Sequence, residues 1–195
     1  MEILKYLHHL DKEITLAINS LHCTPSDYVW QLFSNKYIWF VFYFIVLIFL
    51  FRNLGWKKGL LAVVAIALTI TACDQFANFT KAYFERLRPC WDEEMVRRGL
   101  HILEGKGNLY GFYSAHAANA MGFAVSSYRM FKQDTNKLRE YTLYAKIVFP
   151  WAFLVGISRV FVGKHFFGDV MVGFAVGALF AYIITAIACK LIRKR

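Results

Sequence analysis

The sequence predicts an all-α integral membrane helix bundle, with about five transmembrane helices behind an N-terminal amphipathic helix. Three observations predict it. Hydrophobic residues make up 58% of the 195, and the mean hydropathy is +0.40, more apolar than an ordinary soluble domain. Five apolar runs recur along the chain, separated by more polar connections. The net charge of +10 is concentrated in alternate connections, which fits the flanks of membrane helices better than a nucleic-acid surface. A nucleic-acid partner is therefore not expected, and the bilayer is.

Residues 1–22 carry Glu2, Asp11 and Glu13 and lack a small-residue cleavage site, so they do not read as a signal peptide. Ile3, Leu4, Leu7, Leu10, Ile14 and Leu21 fall near one helical face. Such a helix lies on the membrane surface or packs on the bundle. The apolar runs that follow cover 37–51, 59–73, 115–131, 147–163 and 166–189. Flanking basic and aromatic side chains extend the shorter ones by snorkelling. A single domain over 1–195 is expected, with 1–35 as its N-terminal segment and 37–190 as the bundle.

Five spans put the termini on opposite sides. The connections around 52–58 and 129–146 and the tail 190–195 gather basic residues against only Asp134 and Glu140. The other side, with the N-terminal segment, 81–113 and 158–169, is close to neutral. The positive-inside rule then expects a cytoplasmic C-terminus and an outer side carrying Lys81, Arg88, Ser114, His116, Arg159 and His165.

Those residues form three clusters. Lys81 and Arg88, the latter followed by helix-breaking Pro89, present two cations seven residues apart, able to meet different oxygens of one phosphate or to snorkel at an interface. Ser114 opens the third run as an N-cap, a position that also offers free N–H groups to an anion. His116 next to it can protonate a leaving oxygen or serve structurally. In the third cluster, Ser158-Arg159-x5-His165-x3-Asp169, the imidazole and carboxylate are four apart and share a helical face. The carboxylate can take one ring N–H and leave the other nitrogen as nucleophile or base, with Arg159 positioned for an anion. Asp74 and Asn78 share a helical face with Lys81, for orientation or for interhelical packing. Small residues at Gly173, Gly177 and Ala181, and at Ala118 and Gly122, read as close helix packing. The loop 90–110 is long enough for a lid or headgroup reader. Cys23, Cys73, Cys90 and Cys189 match no zinc or redox spacing; Cys23 and Cys90 face the same side, bonded or free.

In this order the three blocks resemble the type 2 phosphatidic acid phosphatase family, with its pattern K-x6-RP, PSGH and SR-x5-H-x3-D. The first and third blocks match in full, while in the second Tyr113 stands for Pro and Ala115 for Gly. The family usually has six spans; here the amphipathic segment replaces the first. The resemblance implies a hydrolase of lipid phosphates or diphosphates that needs no metal or other cofactor. It implies His165 as the nucleophile that forms a phosphohistidine, Asp169 as its orienting carboxylate and His116 as general acid. It assigns Lys81, Arg88 and Arg159, with Ser114 and the Ala115 N–H, to the phosphate. Undecaprenyl diphosphate is the favoured substrate, at the outer face of a bacterial inner membrane. Lipid A, phosphatidylglycerol phosphate and phosphatidic acid follow. Vanadium haloperoxidases share the three-block pattern, but the apolar runs argue against those soluble folds. A transporter or scaffold would not need these groups on one side.

Overall fold

A computed structural model describes residues 2–133 and 138–193, with the side chains of 138, 139 and 193 outside that description. Part of the charge count used for orientation, including Asp134, Lys137, Lys194 and Arg195, lies outside the described residues. The helices are α1 (Glu2–Asn19), α2 (Thr24–Ser34), α3 (Phe40–Phe84), α4 (Glu93–Arg97), α5 (Ala115–Phe131), α6 (Leu138–Phe161) and α7 (Phe167–Arg193), with a 3-10 turn at Pro89–Trp91.

Among the described residues, α3, α6 and α7 are long and apolar enough to cross a membrane. Within the 45 residues of α3, Gly55 has φ 73° and ψ 171°, a backbone that only glycine adopts readily. It divides α3 into two arms, which match the first two apolar runs. With α5, the helices account for the five expected spans behind an amphipathic start. Lys81 lies in the last turn of α3, and its carbonyl accepts the N–H of left-handed Glu85 at 3.1 Å.

α5 sits centrally, packed against α3, α6 and α7. Its approach to α7 depends on absent side chains: a Cβ at Gly177 would lie 2.2 Å from the Ala118 carbonyl oxygen, and one at Gly173 would lie 2.6 Å from the Ser114 oxygen. Trp151 packs against Phe42, Tyr43 and Phe123 with ring centroids 4.9 to 5.9 Å apart, joining α3, α5 and α6.

The N-terminal segment is two helices rather than one, because Pro25 starts a new first turn after the chain leaves α1. The apolar face read from the sequence turns outward, with Ile3, Leu4 and Leu21 each more than 70% exposed. The polar residues Lys12, Thr15 and Asn19 are the buried ones. Asn19 Nδ2 donates to the carbonyls of His101, Val160 and Phe161 at 3.0 to 3.1 Å. Its Oδ1 accepts the His101 N–H at 2.7 Å. A helix beside a bilayer keeps its apolar face for lipid and pairs its polar face with backbone groups at the bundle end. All four cysteines are free.

Candidate active site

Each half of the site comes from a helix end. The end of α3 supplies Lys81, and the turn after it supplies Arg88, whose Nε donates to the Tyr110 carbonyl at 3.1 Å. Gly111 lets the returning strand of loop lie close, since a Cβ there would meet Arg88 Cγ at 2.9 Å and Asp169 Oδ2 at 3.4 Å. The start of α5 supplies Ala115 and His116, and the α6–α7 junction supplies Arg159, His165 and Asp169.

Six of the eight sequence-predicted residues (Lys81, Arg88, Ala115, His116, Arg159 and His165) line one cavity of about 430 Å³. The other two stand behind its wall. Ser114 is fully buried, and its hydroxyl accepts the Ala117 N–H as the N-cap of α5, at a long 3.5 Å. Asp169 is fully buried, with Oδ2 accepting the Phe166 N–H at 3.1 Å and lying 3.5 Å from His165 Nδ1. At that distance no hydrogen bond is formed between the imidazole and the carboxylate.

The lining carries four cations, Lys36, Lys81, Arg88 and Arg159, against one carboxylate, Asp74. Lys36 immediately precedes the first apolar run, 37–51. Asp74 accepts from Asn119 Nδ2 at 2.8 Å, so its hydrogen bond ties α3 to α5. Asn78 lines the same wall. Trp39, Phe40, Tyr43 and Phe123 close the apolar side. Burial, and then Arg88, Arg159 and Lys81, hold the His165 imidazole well below its usual pKa, so it is neutral at pH 7. Arg159 Nε and His165 Nδ1 are buried without a hydrogen-bond partner among the described residues.

The loop after α4 covers the site. Arg159 Nη1 donates to the Ser34 hydroxyl and lies 3.5 Å from Glu104 Oε2, while Ser34 donates to the other Glu104 oxygen. Lys164 donates to the Gly105 carbonyl. A second cavity, lined in part by Ser34 and Glu104, shares Lys36, His116 and Arg159 with the first.

Two features had no signal in spacing. Arg86, between the two named cations of the first block, pairs with Asp169 Oδ1 at 2.6 Å. His22, Asp27 and His101 bring ligand atoms within 4.8 Å of one another. The two rings, however, stack at 3.6 Å with planes 8° apart. Lone pairs in parallel planes do not converge on one ion, so the geometry fits stacking plus the 3.0 Å His101–Asp27 pair rather than a metal centre.

A buried imidazole among fixed cations at one end of an apolar bundle defines a membrane-embedded phosphatase. The chain belongs to the PAP2 superfamily, whose model matches residues 58–193. It is 34% identical to a lipid A 4'-phosphatase of Bacteroides thetaiotaomicron over 97% of this chain and 81% of the relative. It is 28% identical to a lipid A 4'-phosphatase of Porphyromonas gingivalis over 93% and 74% respectively. The fold is that of a transmembrane PAP2 type phosphatidylglycerolphosphate phosphatase from Bacillus subtilis (TM-score 0.76, 23% identity, 97% of this chain and 90% of that one). Aquifex aeolicus LpxE is also similar (TM-score 0.67, 25% identity, 89% and 93%).

Proposed function

We propose that this enzyme removes a phosphate monoester from the head of lipid A, without a metal, through a phosphohistidine on His165 at the outer membrane face. The carrying observation is the cavity itself, where a neutral buried imidazole meets four cations beside an apolar aromatic wall. The relatives shift the substrate from undecaprenyl diphosphate to lipid A, since two across nearly the whole chain are lipid A 4'-phosphatases.

His165 Nε2 attacks phosphorus in line as the bond to the lipid oxygen breaks. His116 gives its proton to that oxygen. Lys81, Arg88 and Arg159 take the three equatorial oxygens, supplying the charge neutralisation that phosphoryl transfer mainly requires. Water then gives a proton back to His116 and attacks phosphorus, releasing inorganic phosphate and neutral His165. Asp169 orients the ring throughout, and Ala115 offers its N–H from the first turn of α5.

The test is phosphate release in EDTA by the detergent-solubilised enzyme. Lipid A, undecaprenyl diphosphate, phosphatidylglycerol phosphate and phosphatidic acid are compared, with His165→Ala and His116→Ala alongside. EDTA-resistant release from lipid A, absent in His165→Ala and severely slowed in His116→Ala, is expected. Near-normal hydrolysis by folded His165→Ala would remove the nucleophile assignment, and preference for another lipid would remove the substrate.

A further inference from the structure

The Asp169 carboxylate, fully buried, is held mainly from the side away from His165. Its Oδ1 lies 2.6 Å from Arg86 Nη1. The other arm of that guanidinium lies 2.6 Å from Asp11 Oδ2, on α1. Arg86 also stacks over the Phe166 ring, 4.2 Å from its centroid. The second oxygen of Asp11 accepts the Gly168 N–H at 2.7 Å, in the first turn of α7. One guanidinium thus joins two carboxylates, and the outer carboxylate grips the helix that carries the inner one.

A buried carboxylate without a counter-charge is costly, and one whose counter-charge can swing leaves its partner imidazole loosely aimed. The planar fork of arginine satisfies both carboxylates at once, which a lysine ammonium cannot do with the same geometry. We propose that Arg86 and Asp11 are positioning residues for phosphoryl transfer: Asp11 fixes Arg86, Arg86 fixes Asp169, and Asp169 sets the ring of His165. The proposal rests on His165 being the nucleophile. It makes α1 part of the catalytic apparatus rather than a surface anchor alone.

The competing account is that Asp11 merely docks α1. Lys12 separates the two, because it pairs with Asp92 and Glu94, both at 2.7 Å, from the same helix without touching the chain of contacts to Asp169. The experiment measures kcat and KM on lipid A, orthovanadate affinity and thermal midpoint for the full chain. The variants are Arg86→Gln, Arg86→Lys, Asp11→Asn, Lys12→Met and the Asp11→Asn/Arg86→Gln double. Vanadate is the phosphate-shaped probe, and its binding is independent of which lipid is the substrate.

Arg86→Gln is expected to lower kcat about 100-fold and vanadate affinity about tenfold, with KM within about threefold; Arg86→Lys should recover part of the loss. Asp11→Asn should cost about tenfold in kcat, and the double variant no more than Arg86→Gln, because Asp11 acts through Arg86. Lys12→Met should lower the thermal midpoint with kcat within about twofold. If Lys12→Met costs as much kcat as Asp11→Asn, α1 acts by docking and the proposal is overturned. If Arg86→Gln does not fold, Arg86→Lys and Asp11→Asn carry the decision. Variants at parity beside an active wild type and an inert His165→Ala overturn this proposal alone. A folded wild type that neither hydrolyses a lipid of the panel nor binds vanadate overturns the nucleophile reading and this proposal with it.

Discussion

A methyl group added at Gly177 tests how two helices keep the site in register. The new Cβ would sit 2.2 Å from the Ala118 carbonyl oxygen and 2.9 to 3.0 Å from that residue's C and Cα. These are backbone atoms of α5, so no rotamer change relieves the overlap. Ordinary contact begins at 3.4 Å, and close-packed helices therefore have to part by about 1 Å. Ala118 lies two residues beyond His116, and α7 carries Asp169 in its first turn. The separation moves His116, on α5, away from Asp169, on α7. A misplacement of that size is expected to lower kcat about 100-fold, and the overpacking to cost about 1–3 kcal/mol of stability. The assay is phosphate release by purified Gly177→Ala with its thermal midpoint beside it. Gly156→Ala is the comparison, because its Cβ meets the Phe174 ring, a side chain that can turn aside. It should lose stability and keep kcat within about fivefold. Wild-type kcat in folded Gly177→Ala would refute the reasoning.

Asn19→Ala leaves the His101 N–H without its partner and takes a donor from the carbonyls of His101, Val160 and Phe161, and it should destabilise by about 2–3 kcal/mol in thermal or denaturant unfolding. Because the His165 pKa is held below the usual value of about 6.5, the acid limb of kcat/KM should lie below that pH. The same shift makes the unfolded chain bind the proton that the native ring resists, so stability should fall as pH drops below about 6.5; a limb at higher pH would contradict the site's electrostatics. Ala115 is the first residue of α5 with ordinary helical backbone, so restoring the family glycine with Ala115→Gly should change kcat by less than about threefold and cost about 0.5–1 kcal/mol of stability.

What could be read from the sequence depended on the kind of signal. Hydropathy runs and fixed spacings brought Lys81, Arg88, His116, Arg159 and His165 to one end, because helix ends and a four-residue step translate directly into position. Ser114 offered two readings, and its hydroxyl caps α5 from behind the cavity wall. The amphipathic pattern of α1 gave two faces without saying which one meets protein. In water the apolar face would turn in, and at a bilayer Lys12, Thr15 and Asn19 do instead. The break before α2 carried a signal in Pro25 that an unbroken apolar stripe concealed. Arg86 and Lys36 had none, because a cation beside a membrane has many ordinary uses and only tertiary contact separates them.

The inward polar face of α1 also orders assembly. Asp11, Thr15 and Asn19 bond to backbone groups of residues 160, 161, 167 and 168, with Asn19 also bonding to His101. The docking surface of α1 is therefore complete only when α6 and α7, which lie more than 140 residues further along the sequence, are in place. Contacts spanning some 150 residues close late, since the loop entropy must be overcome first. Until α1 docks there, the run of contacts from Asp11 through Arg86 to Asp169 is incomplete.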